Sequence, residues 1–158
     1  MSGPKYESVL IKDINDETYW FSRSEQGNTI NNAFVNTSDF YWVCNGNNKN
    51  CTFDIFVDKT DKEDCPMGGQ PYVTETVRIR RNYGGAWVDW NNTHKHLAFY
   101  QSSGNFKMEW DQWKSSFKLS KDGYYVYNSK QSNDNNCYYV KIGSDDLNEA
   151  TKFKLVKS

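Results

Sequence analysis

One short segment of the chain combines aromatic, acidic, amide and imidazole side chains within ten residues. Its members are Trp87, Asp89, Trp90, Asn91, Asn92, His94 and His96. Asn105 is expected to lie near them across the next hairpin. Sugars are bound by an aromatic plane that packs on their C–H face, while carboxylate and amide groups bond to their hydroxyls. The segment therefore predicts a metal-free carbohydrate site formed by Trp87, Asp89, Trp90, Asn91, Asn92, His94 and Asn105.

An ordinary strand and turn would account for the same residues. Because side chains alternate along a strand, Trp87 shares one face with Asp89. Trp90 shares the other face with Val88, so one tryptophan is expected in the core and the other could face a ligand. In the alternative, Val88 and Trp90 fill the interior, Trp87 covers surface, and the Asn91-Asn92 pair makes a turn.

Catalytic and metal chemistry have little support in the sequence. The two histidines, His94 and His96, flank Lys95, so alternation would send them to opposite faces of a strand. They could then not bind one metal ion together. Gly84-Gly85 stands alone in a hairpin turn and lacks the pattern of a phosphate-binding loop. The chain is therefore predicted not to be an enzyme and to use no metal or cofactor.

The composition favours one all-β domain spanning residues 1–158. Hydrophobic residues make up 37% and aromatic residues 16% of the chain, and aromatic side chains favour strands. Lys plus Arg number 19 against 20 for Asp plus Glu, which leaves no cationic field for nucleic acid. No apolar run approaches the roughly 20 residues that cross a bilayer, so no membrane insertion is expected.

The first seven residues lack the apolar segment of a secretory signal. The sequence therefore predicts a cytoplasmic protein, a protein secreted by a non-classical route, or a mature form.

The four cysteines form an even set, which permits three pairings into two disulfides. They are Cys44, Cys51, Cys65 and Cys137. We favour a Cys44–Cys51 pair, because an Asn-Gly turn separates two strand-like arms at 40–43 and 52–57. The alternative is four free thiols in a reducing compartment.

A strand-like phrase recurs at 8–11, 76–79 and 116–119, each time followed by an aromatic run. The recurrence predicts three hairpin-rich repeats, at about 8–57, 76–115 and 116–158. Asp122-Gly123 is the strongest hairpin signal in the chain. Between the first two repeats, a charged run and a Pro/Gly cluster predict an irregular surface loop over 58–72.

From residue 76 to 158 this pattern resembles the β-trefoil superfamily, and the ending 150–155 looks like the closing strand of a trefoil unit. The resemblance implies a closed β-trefoil of three hairpin-rich repeats, a fold of lectins and protease inhibitors. The Gln-x-Trp signature of ricin-type lectins and the opening motif of plant Kunitz inhibitors are absent, so no functional residue is carried over. A β-sandwich or jelly roll is the alternative fold.

Three functions follow from these expectations. The first is a β-trefoil lectin that binds glycans or glycoproteins, with several sites if all three repeats take part. The second is a protease inhibitor that acts through the protruding 58–72 loop. The third is a cytoplasmic protein-interaction module similar to the actin-bundling trefoils. A homodimer is possible in each case.

Overall fold

The computed structural model describes residues 3–22, 42–82, 85–132, 138–144 and 149–158. In these ranges all regular structure is β-strand, and twelve strands join in one antiparallel sheet, so the all-β prediction is confirmed. No helix in these ranges is long and apolar enough to cross a membrane. The strands are β1 (Tyr6–Asp13), β2 (Tyr19–Ser22), β3 (Val43–Gly46), β4 (Phe53–Glu63), β5 (Tyr72–Arg81), β6 (Trp87–Asn91), β7 (His96–Tyr100), β8 (Phe106–Trp110), β9 (Phe117–Lys121), β10 (Tyr124–Ser132), β11 (Tyr138–Ser144) and β12 (Phe153–Lys157).

Six of these strands pair in a closed ring. The order around it is β1, β4, β5, β8, β9 and β12, and β12 returns to pair with β1. The recurring phrases at 8–11 and 76–79 lie in the ring strands β1 and β5, and the third, at 116–119, begins one residue before β9. A closed ring leaves no unpaired edge along the part of the strands that takes part in it.

The other strands form three antiparallel pairs outside the ring, β2–β3, β6–β7 and β10–β11. β11 pairs with both β3 and β7, and a bridge between Trp42 and Ala98 joins the remaining two pairs. The three pairs therefore meet and cover one end of the ring, where β1 ends and β8 begins. The opposite end, where β1 begins and β8 ends, is not covered by them.

Alternation along the ring strands builds the core. Phe53 and Ile55 are fully buried, as their two-residue spacing predicts. Apolar residues at the same spacing in the other ring strands face them, and all belong to one cluster. The Asp122-Gly123 hairpin also forms: both residues have positive φ, at 53° and 85°, and Lys121 pairs with Tyr124.

The predicted pairing of Cys44 with Cys51 is wrong. Cys51 is a free, buried thiol whose pKa burial raises to about 12, and Cys65 is also free. Among the three cysteines within the described ranges, neither Cys51 nor Cys65 is therefore the disulfide partner of Cys44. Cys44 lies in β3, which pairs with β2 at Phe21 and with β11 at Tyr139, so the Asn-Gly turn does not form the predicted hairpin. Cys137 and residues 40–41 of the predicted arm lie outside the described residues.

The predicted 58–72 loop is mostly strand. β4 continues to Glu63 and β5 begins at Tyr72, with a register that runs from Lys59–Thr76 to Glu63–Tyr72. The charged residues of β4 from Asp58 to Glu63 are all exposed, which is also typical of a loop. The β5 residues that pair with them include the β-branched Val73, Thr74 and Thr76, which favour a strand. Only 64–71 remains as the turn of a long β4–β5 hairpin.

A buried carboxylate links strands at the uncovered end of the ring. Glu75 is 0% exposed and accepts hydrogen bonds from the Tyr6 hydroxyl at 2.6 Å and the Trp110 indole nitrogen at 2.7 Å. Lys5 completes the set with an ion pair. Burial alone would raise the pKa of Glu75, but these three donors outweigh it and lower that pKa, so the carboxylate stays ionised. β1, β5 and β8 are therefore tied together at the base of the hairpin.

Replacing Glu75 with leucine should weaken the whole fold. The Tyr6 hydroxyl and the Trp110 indole N–H would remain buried without their acceptor, at about 1–3 kcal/mol each. We expect the free energy of unfolding to fall by about 2–4 kcal/mol in urea denaturation followed by tryptophan fluorescence. Glu63→Leu, at an exposed site of the same hairpin, is the control and should change it by less than about 0.5 kcal/mol. Equal effects of the two substitutions would contradict this role of Glu75.

Candidate functional site

Trp87, the first residue of the predicted sugar site, has a face covered by its own protein. Its ring lies 5.5 Å from that of Phe56, and the guanidinium groups of Arg78 and Arg80 lie over it at 5.3 Å and 5.5 Å. Arg78 forms a bidentate pair with Asp58. The aromatic plane that a sugar would need is therefore engaged in cation–π contacts within the sheet.

The amides of the predicted site are used within a turn. The Asn91 side-chain oxygen accepts a hydrogen bond from the His94 backbone N–H at 2.9 Å, and its amide nitrogen donates to the Tyr100 hydroxyl at 2.9 Å. Asn92 accepts from the Lys95 ammonium group at 2.9 Å. Lys95 has a positive φ of 61°, which closes the turn between β6 and β7. The polar atoms proposed for sugar hydroxyls thus stabilise the local backbone.

Asp89 and Asn105 lie on either side of Lys121. The Lys121 ammonium group is 3.6 Å from an Asp89 carboxylate oxygen and donates to the Asn105 carbonyl oxygen at 3.1 Å. Asp89 also accepts a 2.7 Å hydrogen bond from the Trp90 backbone N–H. The structure therefore brings these two predicted residues to one place, with a cation between them.

Trp90 and the histidines belong to different environments. Trp90 packs against the core cluster and also lies 6.0 Å from the Tyr124 ring. His94 and His96 both contact Trp42, at 5.1 Å and 5.0 Å between ring centroids. The expectation that the two histidines point to opposite faces is wrong, because Lys95 between them has left-handed backbone rather than strand geometry.

His96 is neutral at physiological pH. It is buried and stacks on Tyr139 at 4.3 Å between ring centroids. Burial, and to a lesser extent the positive charges of Lys141 and His94, lower its pKa to about 4. The imidazole is thus a core aromatic where β7 meets β11.

The end of the β4–β5 hairpin shows a different chemistry. Its tip, residues 64–71, begins with a tight turn in which the Gly68 backbone N–H donates to the Cys65 carbonyl at 2.9 Å. Met67, inside this turn, is 94% exposed. An apolar side chain held at that exposure on a projecting turn is available to a partner.

Gln112 fixes the tip from outside the hairpin. Its side-chain nitrogen donates to the carbonyl oxygens of Gln70 and Gly68, at 3.1 Å and 3.4 Å. Gly69 lies between them with a φ of +93°, and a Cβ at that position would approach the same nitrogen to 2.9 Å. The backbone conformation favours glycine here, and the missing side chain leaves room for the Gln112 amide.

Exposed apolar groups are concentrated around this tip. The described residues include four large hydrophobic side chains that are exposed, and three of them lie at or near the tip. Met67 lies in the tip, Tyr72 is the first residue of β5, and Trp113 follows Gln112. Trp113 is 72% exposed. Met67 was not among the residues that the sequence pattern indicated as functional. The signal that could have found Met67 is an apolar residue between Pro66 and Gly68 in a polar segment.

Comparisons with known proteins show the fold but no family. Models of protein families give no match, and no curated protein matches the chain. Solved structures do match it over nearly its whole length. One is a Caenorhabditis elegans protein of unknown function from structural genomics, with 13% identity and a TM-score of 0.63 over 99% of this chain and 96% of that one.

Two further matching structures are chlorophyll-binding proteins. The first is described as type II water-soluble chlorophyll-binding proteins, with 11% identity and a TM-score of 0.60. The second is the water-soluble chlorophyll protein from Brassica oleracea var. Botrytis with chlorophyll b, with 11% identity and a TM-score of 0.59. Each match covers 98% of this chain and 93% of the other. At such identities the likeness concerns the fold alone.

The predicted resemblance to trefoil lectins, and the glycan-binding function drawn from it, are wrong. The similar structures are chlorophyll-binding proteins and a protein of unknown function rather than lectins. The geometry supplies the physical reason: the face of Trp87 and the amides of Asn91 and Asn92 already have partners within the protein.

Removing the Gln112 side chain should loosen the hairpin tip without unfolding the ring. Two hydrogen bonds are lost, each worth about 0.5–1.5 kcal/mol, so local opening should rise roughly 5- to 150-fold. We expect Gln112→Ala to be cleaved within 64–71 correspondingly faster than the parent protein in limited proteolysis. Gln101→Ala, at another exposed turn, is the control. Equal cleavage rates for Gln112→Ala and the parent protein would show that Gln112 does not fix the tip.

Proposed function

We propose that this protein is a protease inhibitor that inserts the tip of the β4–β5 hairpin into the active-site cleft of its target. The observation that carries the proposal is the concentration of exposed apolar side chains at a tip held by Gln112. The long hairpin places this tip at the uncovered end of the ring.

The construction of the hairpin supports tight binding. A loop that is already ordered loses less conformational entropy on binding, which favours affinity. Five register pairs, from Lys59–Thr76 to Glu63–Tyr72, support the hairpin, and Gln112 fixes its turn. Glu75 anchors β5 at the base through Tyr6 and Trp110. The tip would therefore meet a cleft with little rearrangement.

The chemistry of the tip indicates the class of target. Met67 is a flexible, unbranched apolar side chain, and such a side chain fills an apolar specificity pocket of the chymotrypsin type. A trypsin-type specificity pocket contains an aspartate that binds a cationic side chain. Methionine in that pocket would leave the aspartate buried without a partner, which disfavours binding. The targets we propose are thus proteases that prefer apolar residues. Trp113 and Tyr72 would then pack on the rim of the cleft.

The finer architecture that we propose for this scaffold is a β-trefoil. The closed six-strand ring and the three strand pairs that meet over one end of it support this description. A β-sandwich would be the alternative arrangement of the same strands. In either case the hairpin tip lies outside the main body of the sheet.

Binding of a planar pigment is the second candidate function. Two of the similar structures are named for chlorophyll binding. The observation in this chain that favours it is the 72% exposed indole of Trp113 beside the apolar tip, because an exposed aromatic plane can stack on a planar ring system.

Met67 is the residue whose replacement should separate inhibition from folding. We expect Met67→Asp to raise the inhibition constant against chymotrypsin at least 100-fold, because an unpaired carboxylate would be buried in an apolar pocket. Met67→Leu should stay within about fivefold of the parent protein. Tyr124→Asp, at an exposed site far along the chain from the hairpin, serves as the control and should leave inhibition unchanged.

The inhibitor proposal fails if the folded protein inhibits no chymotrypsin-, subtilisin- or papain-type protease at micromolar concentration. It also fails if Met67→Asp and Tyr124→Asp give the same inhibition constants, since the tip would then not be the contact.

Pigment binding is tested by titrating the protein with chlorophyll b in detergent and following absorbance and gel filtration. If Trp113 stacks on the pigment, Trp113→Ala should reduce binding at least tenfold, while Tyr124→Ala should have no effect. Absence of a pigment–protein complex, or equal binding by the two variants, would remove this second candidate.

A further inference from the structure

A second concave feature lies beside the Glu75 network and is distinct from the hairpin tip. It is a pocket of about 370 Å³ with an apolar floor and a cationic rim. The floor contains Tyr6, Val9, Trp110 and Leu155, and the rim contains Lys114, Ser115, Lys154 and Lys157. Pockets of this volume hold small organic molecules.

The charge of the pocket is entirely positive. Its lining contains three lysines and no acidic residue. Across the described part of the chain, none of Lys114, Lys154 and Lys157 forms an ion pair, whereas Lys5 nearby is neutralised by Glu75. Three lysines and no acidic residue in the lining of one pocket favour a ligand that carries negative charge.

Lys114 is held in place by the backbone and by two aromatic rings. Its φ is +57°, and its backbone N–H donates to the Asp111 carbonyl at 3.0 Å. The ammonium group lies 5.6 Å from the Tyr6 ring centroid and 5.3 Å from that of Trp110. Burial, only partly opposed by the nearby Glu75, lowers its pKa, and the like charge of Lys5 adds to this effect.

The lysines of this pocket could form ion pairs with a bound anion. A bound anion would relieve the repulsion between Lys114 and its neighbouring lysines, and the aromatic rings beneath would exclude water from the contact. The floor can accept a flat apolar body at the same time, because Val9 and Leu155 carry no polar side-chain atoms and lie next to the tyrosine ring.

We propose that this pocket binds a small aromatic anion, a ring system that bears a carboxylate or sulfonate group. The ring lies on the floor formed with Val9 and Leu155, and the anionic group lies between Lys114 and the two lysines of β12, Lys154 and Lys157. The proposal rests on different residues from the hairpin tip, so either can hold without the other.

The test is isothermal titration calorimetry with 2-naphthoate, and with the neutral alcohol 2-naphthalenemethanol as a ligand of similar shape. We expect the carboxylate to bind at least tenfold more tightly than the alcohol. Lys114→Gln should weaken naphthoate binding roughly two- to fivefold, since an exposed charged contact contributes modestly. Lys59→Gln, at an exposed lysine of the hairpin, is the matched control and should leave the affinity unchanged.

The Trp110 indole N–H gives an independent readout, because it borders the pocket and can be followed by nuclear magnetic resonance. Its resonance should shift on adding naphthoate to the parent protein. If Lys114→Gln does not fold, the double variant Lys154→Gln, Lys157→Gln, on exposed positions of β12, takes its place and should show the same loss.

The proposal is overturned if the alcohol and the carboxylate bind equally, or if Lys59→Gln weakens binding as much as Lys114→Gln. An unchanged Trp110 resonance at saturating naphthoate would also overturn it.

Discussion

The ionised carboxylate of Glu75 is the interaction on which the uncovered end of this sheet depends. It lies in the inward-facing row of β5 together with Val77 and Ile79, where a charge is tolerated only if donors surround it. Tyr6 and Trp110 supply two of those donors from β1 and β8. Burial and the neighbouring carboxylate raise the pKa of Tyr6, so its hydroxyl keeps the proton it donates. One acid thus connects strands that are far apart in sequence.

The Glu75 network lies between the core of the ring and the two candidate binding surfaces, the hairpin tip and the lysine-rich pocket. Above it, β4 and β5 leave the ring as a hairpin whose charged residues face water. Beside it, the rings of Tyr6 and Trp110 form part of the floor of the lysine-rich pocket. Both candidate sites can therefore change their outer residues, such as Met67 or Lys154, without disturbing the core. Binding residues carried on a rigid β scaffold in this way are common among β proteins.

Local physics explains which features the sequence predicts. The alternation of Phe53 with Ile55 and the turn at Asp122-Gly123 depend on near neighbours, and the structure contains both. The Cys44–Cys51 pairing failed because β3 selects partners from distant strands, a choice that no local turn signal encodes. Glu75 has the same two-residue spacing as the buried apolar residues of β5. A carboxylate can be buried there only because Tyr6 and Trp110, which are distant in sequence, donate hydrogen bonds to it. The exposure of Met67 similarly depends on how far the hairpin projects.

The pairing of β1 with β12 has a consequence for synthesis. Val9 pairs with Lys157 and Asp13 with Phe153, so the ring cannot close until β12 has left the ribosome. The nascent chain must then keep β1 and its aromatic neighbours from aggregating while the strands between β1 and β12 are being made. The exposed lysines and acids of the β4–β5 hairpin should reduce aggregation during this time, because charged side chains oppose edge-to-edge association of incomplete sheets.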